Sequence, residues 1–108
     1  MESEMQGKIE TAVREAVRNG SRKLRITYKR DAIHGLYALM AMVNAGMLIV
    51  SSGASAVALA VIAAGDWEHD DNRSFTVELT EKFRESTFIA PMSLYLDKIA
   101  FVRPKQTA

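Results

Sequence analysis

Three short groups of residues in this chain have side chains that could do chemistry. Residues 51–55 carry three serines and a glycine ahead of an alanine-rich stretch, the composition of an anion-binding loop at a helix N-terminus. The segment has no lysine, and Val57 stands where a nucleophile elbow needs its last glycine. We therefore interpret residues 51–55 as a break between two helices rather than as a site.

The second group is the acidic segment 66–71, which is rich in the oxygen ligands that bind divalent cations. Read as a calcium-binding loop, it lacks both the required glycine and the required glutamate. His69 alone cannot build a zinc site in this segment, and His34 is the only other histidine in the chain. No nucleophile is indicated near His34. The sequence thus predicts no catalytic residue, no metal site and no cofactor, and we expect a protein that is not an enzyme.

The third group is basic, and it gives the best physical basis for a binding site. Cations alternate with apolar residues over residues 22–29, so they share one side of a predicted strand and could contact phosphates or an acidic protein. Tyr28 lies on the opposite side, so stacking of bases is not supported. A solvated strand face is the simpler interpretation. The candidate anion-binding residues are Arg22, Lys23, Arg25, Lys29 and Arg30.

The largest feature of the sequence is residues 32–65, which contain 34 consecutive positions without Asp, Glu, Lys or Arg in a chain that is 25% charged. Such a segment is buried, either in protein or in lipid. Residues 39–63 as one helix could span a membrane, and basic residues before and acidic residues after suit a cytoplasmic N-terminus. The amphipathic flanking elements need an apolar surface, however, which favours a protein-enclosed helical hairpin. A single-pass membrane protein is the alternative.

Apolar surface in excess of what one small domain can bury predicts association with another molecule. On the first helix of the hairpin, bulky side chains recur at helical spacing and form a stripe. We therefore expect a small binding or assembly module that acts through homo-oligomerisation or by docking on a protein partner, with anion or nucleic-acid binding as a further alternative. The predicted contact residues are Leu36, Tyr37, Met40, Val43 and Met47.

Hydrophobic periodicity predicts the elements that surround this segment. Residues 3–19 have the spacing of an amphipathic helix, and residues 22–29 and 74–79 alternate as half-buried strands. Asp31 is a candidate N-cap for a helix that begins at Ala32. Residues 47–64 are ambiguous. Their alanine content favours a helix that continues to residue 50, breaks at 51–55 and is followed by a second helix to residue 64, and the alternative is a buried β-hairpin. Beyond residue 87, apolar pieces on both sides of Pro91 predict one or two strands with a turn at residues 97–98.

The 108-residue chain fits one domain, residues 1–108, with a core at 32–65 and a frayed tail at 104–108. We expect an α+β fold with an N-terminal amphipathic helix, several short strands and a central apolar helical hairpin. The acidic N-terminus does not resemble a secretory signal, and the chain has no cysteine, so a cytoplasmic location is expected. The net charge of +1 does not by itself indicate a nucleic-acid or lipid partner.

Overall fold

The computed structural model describes residues 2–52 and 73–104 of the chain. This part of the chain forms three helices and four strands and has the predicted α+β fold. In chain order the elements are α1 (Glu2–Arg18), β1 (Lys23–Tyr28), α2 (Gly35–Asn44), β2 (Leu48–Ser52), β3 (Ser74–Leu79), α3 (Glu85–Tyr95) and β4 (Leu96–Phe101).

The four strands form one sheet in the order β2-β3-β1-β4, and every neighbouring pair is antiparallel. Strands β1 and β2 therefore run parallel to each other with β3 between them, and β3 and β4 run parallel with β1 between them. Each of these parallel pairs is connected through a helix, α2 or α3. The result is two split β-α-β units, the arrangement of ferredoxin-like domains, with α1 added before β1.

The core lies between one face of this sheet and the three helices. Alternation along β1 and β3 sends Leu24, Ile26 and Tyr28, and likewise Phe75, Val77 and Leu79, to this inner face, where each is at most 1% exposed. Helix α1 contributes the side of its surface that the spacing predicts. The predictions for α1, β1 and β3 are therefore confirmed to within one residue at each end. The buried residues of α1 are Ile9, Ala12, Val13 and Ala16.

The apolar central segment begins differently from the prediction. Helix α2 starts at Gly35 rather than Ala32, and His34, not Asp31, occupies the N-cap position, without a side-chain cap. Two turns precede the helix, closed by Ala32 N–H donating to Lys29 O and by Gly35 N–H donating to Ala32 O. These turns reverse the chain after β1, so the residues that follow Asp31 are not available for the first helical turn.

The same helix ends at Asn44, and the chain then enters a strand. Gly46 has a φ of 77°, and Met47 N–H donates to Met42 O while Gly46 N–H donates to Val43 O. This is the Schellman pattern, which a residue in the left-handed region closes and for which glycine is preferred. The favoured helical continuation through 47–50 is therefore wrong, because Leu48–Ser52 pair with β3. The second arm of the predicted helical hairpin falls outside the described residues.

An unbroken helix over residues 39–63 is excluded by this Schellman stop and by β2. Among residues 2–52 and 73–104, no helix combines the length and the apolar content that a membrane span requires.

The region after residue 84 also differs from the prediction. Residues Glu85–Tyr95 are helical with Pro91 inside the helix, and the proposed turn at 97–98 is part of β4. Phe88 and Met92 lie one helical turn apart and are both 0% exposed, so their packing on the core outweighs the strand-forming composition of this segment. Pro91 costs the helix one hydrogen bond, because it has no N–H to donate to the carbonyl of Thr87.

Tyr28 is the residue in this core whose ionisation is expected to affect stability. Its ring meets Phe75 edge-on, with centroids 6.1 Å apart, and its hydroxyl donates to Met92 Sδ at 3.6 Å. The side chain is 0% exposed, and burial raises the pKa of its hydroxyl far above the ordinary value. The folded state therefore keeps the phenol neutral at a pH where the unfolded chain would ionise it.

A group with a raised folded-state pKa stabilises the fold below its unfolded pKa, and this contribution is lost as the pH rises above that value. We expect Tyr28 to lower the free energy of unfolding by about 1.4 kcal/mol for each pH unit above about pH 10. Urea titrations of wild type and Tyr28→Phe across this range measure the effect as a difference, since other groups titrate in both proteins. Parallel stability profiles for the two proteins would contradict the expectation.

Candidate anion-binding face

The face of the sheet opposite the helices is formed by the alternate side chains of the strands, and we call it the outer face. In β1 it carries Lys23, Arg25 and Thr27. The register places Glu78 and Thr76 of β3 beside them on one side and Ala100 and Lys98 of β4 on the other. The described side chains of the outer face are Lys23, Arg25, Thr27, Ile49, Ser74, Thr76, Glu78, Lys98 and Ala100.

Cations from two neighbouring strands meet on this face. Arg25 is exposed, lies between Thr76 and Ala100, and its Nη1 donates to Thr76 Oγ1 at 3.3 Å. Lys98 is also exposed and lies opposite Thr27. Among the described residues of the outer face, the three cations are accompanied by one carboxylate, Glu78, which lies opposite Lys23. The face therefore has an excess of positive charge together with hydroxyl groups that can donate hydrogen bonds.

A pocket of ≈ 520 Å³ lies at the end of the sheet where β1 begins and β4 ends. Lys23, Arg103 and Ser21 line it. Arg103 Cζ lies 5.8 Å from the centroid of the Phe101 ring, a cation–π distance. Because Phe101 lies opposite Leu24 on the inner side of β4, this contact places the Arg103 guanidinium at the rim of the sheet and not on the outer face. Two cations and a hydroxyl around an open pocket form a suitable environment for a phosphate or carboxylate group.

The five predicted anion-binding residues do not lie together in the structure. Lys23 and Arg25 lie on the outer face, but Arg22 has a different role: its Nε donates to Leu79 O at 2.8 Å and its Nη2 to Thr80 O at 2.9 Å. Arg22 has a φ of 55°, and its guanidinium ties the start of β1 to the end of β3. The prediction that it belongs to an anion site is therefore not supported by its contacts.

Lys29 and Arg30 lie beyond the other end of β1. Lys29 lines a separate groove that it shares with two carboxylates, Glu4 and Asp97, and Arg30 is exposed in the turn after the strand. The two residues that sequence reasoning missed are Lys98 and Arg103. The pair 97–98 was predicted to form a turn, and Arg103 precedes a predicted frayed tail. No local signal shows that the strand carrying Lys98 lies beside β1.

The predicted protein-contact residues, four on α2 and Met47 after its end, are split between the core and the surface. Leu36 and Met47 are buried, at 2% and 7% exposure, and Met40 and Val43 are half-buried against the core. Tyr37 is 65% exposed. Two of the five residues are therefore not available for a contact at the surface.

The other candidate groups supply no site in the described part of the chain. His34 is exposed and its ring stacks on Tyr37 with centroids 6.0 Å apart. Ser51 and Ser52 belong to β2, whereas residues 53–55 and the acidic segment 66–71 fall outside the described ranges. Residues 2–52 and 73–104 contain no group of three or more His, Asp or Glu side chains arranged for a metal ion.

Comparison of the chain with known protein families, with curated proteins and with solved structures finds no match. Because one fold hosts many unrelated functions, the split β-α-β arrangement does not indicate a particular activity. The function must therefore be argued from the chemistry of the outer face itself.

Proposed function

We propose that the protein binds the phosphate backbone of single-stranded nucleic acid on the outer face of its sheet. The observation that carries this proposal is the convergence of Lys23, Arg25 and Lys98 on one open face. Lys23 and Arg25 project from the same side of β1 two residues apart, a separation of roughly 6.6 Å in a strand. Successive phosphates of an extended strand have a comparable spacing.

The composition of this face predicts binding without base recognition. The described residues of the outer face include no aromatic side chain on which a base could stack, and Tyr28 and Phe75 are both buried on the inner side. Proteins that recognise single strands through their bases present such side chains on the open sheet. We therefore expect contacts to phosphates, little dependence on sequence, and a strong dependence on salt.

The salt dependence gives a quantitative expectation. Neutralisation of three or four phosphates predicts a slope of about −2 to −3 for log K against log salt concentration with a single strand. Fluorescence anisotropy of a labelled oligothymidylate, titrated with protein over a range of sodium chloride concentrations, measures this slope. A slope near zero, or no binding in low salt, would contradict the proposal.

Charge reversal on the face tests which residues make the contacts. We expect Lys23→Glu with Arg25→Glu to weaken oligonucleotide binding at least tenfold in low salt and to reduce the salt slope by about 1.4. The matched control is Arg14→Glu with Arg30→Glu, which makes the same change in net charge away from the outer face. Equal loss of binding in both double variants would show that only the net charge matters, and would reject the outer face as the site.

Homo-oligomerisation, the function that the apolar segment predicts, is a second candidate function. A specific observation favours a surface for it at the β4 edge of the sheet.

A further inference from the structure

Strand β4 is an edge strand of the sheet, and one side of it has no partner strand among the described residues. Val102 N–H donates to Lys23 O at 2.9 Å. From this pair onward, hydrogen-bonded and non-hydrogen-bonded residue pairs alternate along β1 and β4. In an antiparallel ladder with this phase, Ile99 and Phe101 point their N–H and C=O groups away from β1. In the described part of the chain, β1 is the one strand that pairs with β4. An edge of this kind is a template for a further strand.

A groove of ≈ 640 Å³ runs along this edge, between β4 and α1. Ile99 and Phe101 line it from the strand, and Ala12 and Gly7 line it from the helix. A Cβ added at Gly7 would have no neighbour within 4 Å, so the groove is open beside this residue. Ile99 and Phe101 therefore offer a partner both backbone groups that point away from β1 and half-buried apolar side chains.

The stripe of α1 along this groove has a charge pattern that complements itself. Its residues recur every three or four positions and so share one side of the helix. From the N-terminus to the C-terminus, their charges are negative, positive, neutral, negative and positive. If a second copy of the helix runs antiparallel, each charge therefore faces the opposite charge, and the neutral residue faces itself. The stripe consists of Glu4, Lys8, Thr11, Glu15 and Arg18, of which the first four line the groove. Within one chain Glu15 and Arg18 also form an ion pair.

Two antiparallel copies of α1 with Thr11 at the centre place Lys8 of each copy opposite Glu15 of the other. Glu4 of each copy then faces Arg18 of the other. A two-fold axis makes every such contact twice, which is the property of an isologous interface. Thr11 and Ile99 line the same groove, so an axis that passes close to Thr11 also passes close to the free edge of β4.

We propose that the chain forms a two-fold homodimer through α1 and β4. The edges of the two β4 strands pair antiparallel, Ile99 and Phe101 of both copies close the groove, and the two four-stranded sheets become continuous. The partner at this edge is a second copy of the chain, because the charge pattern of α1 is complementary to that of an antiparallel α1. This inference is independent of nucleic-acid binding, although an axis perpendicular to the sheet would bring the two outer faces together on one side.

Sedimentation equilibrium with four samples, wild type, two single variants and their mixture, tests the charge contacts. Lys8→Glu alone and Glu15→Lys alone each place like charges opposite each other, so each should dimerise roughly tenfold more weakly than wild type. An equimolar mixture of the two variants restores both opposite-charge contacts, and we expect it to form a heterodimer with an affinity near that of wild type. The circular dichroism of each variant establishes that its fold is retained.

The result that overturns the proposal is a wild type that remains monomeric at millimolar concentration. A wild-type dimer together with a mixture that associates no better than its components overturns it equally, because dimerisation would then use another surface.

Substitution at Ile99 tests the strand contact separately. Ile99→Pro removes the N–H that points away from β1 and leaves the ladder to β1 intact, whereas Ile99→Ala shortens the side chain and keeps the N–H. We expect the proline variant to dimerise at least tenfold more weakly than the alanine variant. Equal affinities for the two variants would show that β4 does not pair across the dimer.

Discussion

Replacement of Phe88 by alanine is expected to lower the free energy of unfolding by about 3–5 kcal/mol, the range for removal of a fully buried aromatic ring. Phe88 is 0% exposed, and its ring lies 5.4 Å from the ring of Phe83 between centroids. Both the lost burial and the cavity left behind contribute to the cost. Because small domains are stabilised by only about 5–15 kcal/mol, this single change should bring the protein close to unfolding.

Leu94 provides the matched control for this prediction. It lies on the same helix, α3, but 46% of it is exposed, so Leu94→Ala should cost well under half as much. Urea denaturation followed by circular dichroism measures both variants. If residues 87–95 were strands, as their composition suggests, the inside–outside pattern would follow a period of two and would not separate these two residues in this way. Similar losses for Phe88→Ala and Leu94→Ala would therefore contradict the helix as well as the burial.

Gly35→Ala is expected to destabilise the protein by about 1–3 kcal/mol, although alanine is the better helix former. A Cβ at position 35 would lie 2.7 Å from Tyr28 Cε1, 2.9 Å from Tyr28 Cδ1 and 3.0 Å from Tyr95 Cβ. The Tyr28 ring is fully buried and cannot move aside without displacing its neighbours. The close approach of α2 to β1 thus depends on the absence of a side chain at the first helical residue.

Gly7 is the matched control, because it is also a helical glycine but faces open space. At protein concentrations where the chain is monomeric, Gly7→Ala is expected to stabilise the protein by about 0.5–1 kcal/mol through helix propensity. Thermal denaturation of the two alanine variants should therefore shift the midpoint in opposite directions. A gain in stability for Gly35→Ala would show that α2 is not held against Tyr28 at the distance described.

Local periodicity was sufficient to predict the elements whose buried side is determined by their own sequence. The 3.6-residue period of α1 and the two-residue period of β1 and β3 each define one apolar side. Residues 85–95 lack that kind of signal, since Thr87, Phe88 and Ile89 all favour strands and Pro91 disfavours a helix interior. There the contacts with the rest of the core determine the conformation, and these contacts are not readable from the segment alone.

The residues of the candidate site were likewise predictable only where local alternation determines their position. Alternation placed Lys23 and Arg25 on one side of β1 and Tyr28 on the other, and the structure agrees. Lys98 joins them only because β4 lies next to β1, a neighbour relationship that depends on the whole topology. Arg22, in contrast, was predicted to lie at the site and does not. Its left-handed backbone and its two hydrogen bonds to carbonyl groups belong to a turn that hydrophobic spacing does not predict.

The split order of the sheet has a consequence for how the chain acquires its structure during synthesis. Strand β1 precedes the other described strands in the chain, and both of its neighbours, β3 and β4, lie more than 45 residues after it. Arg25 and Thr76, side by side in the sheet, are 51 residues apart in sequence. Pairings of such long range slow folding, because β1 can pair with β3 only after residue 79 has been translated and gains its second neighbour only with β4. The nascent chain therefore exposes an apolar strand edge, and its shielding by a chaperone during this interval would protect the molecule from aggregation.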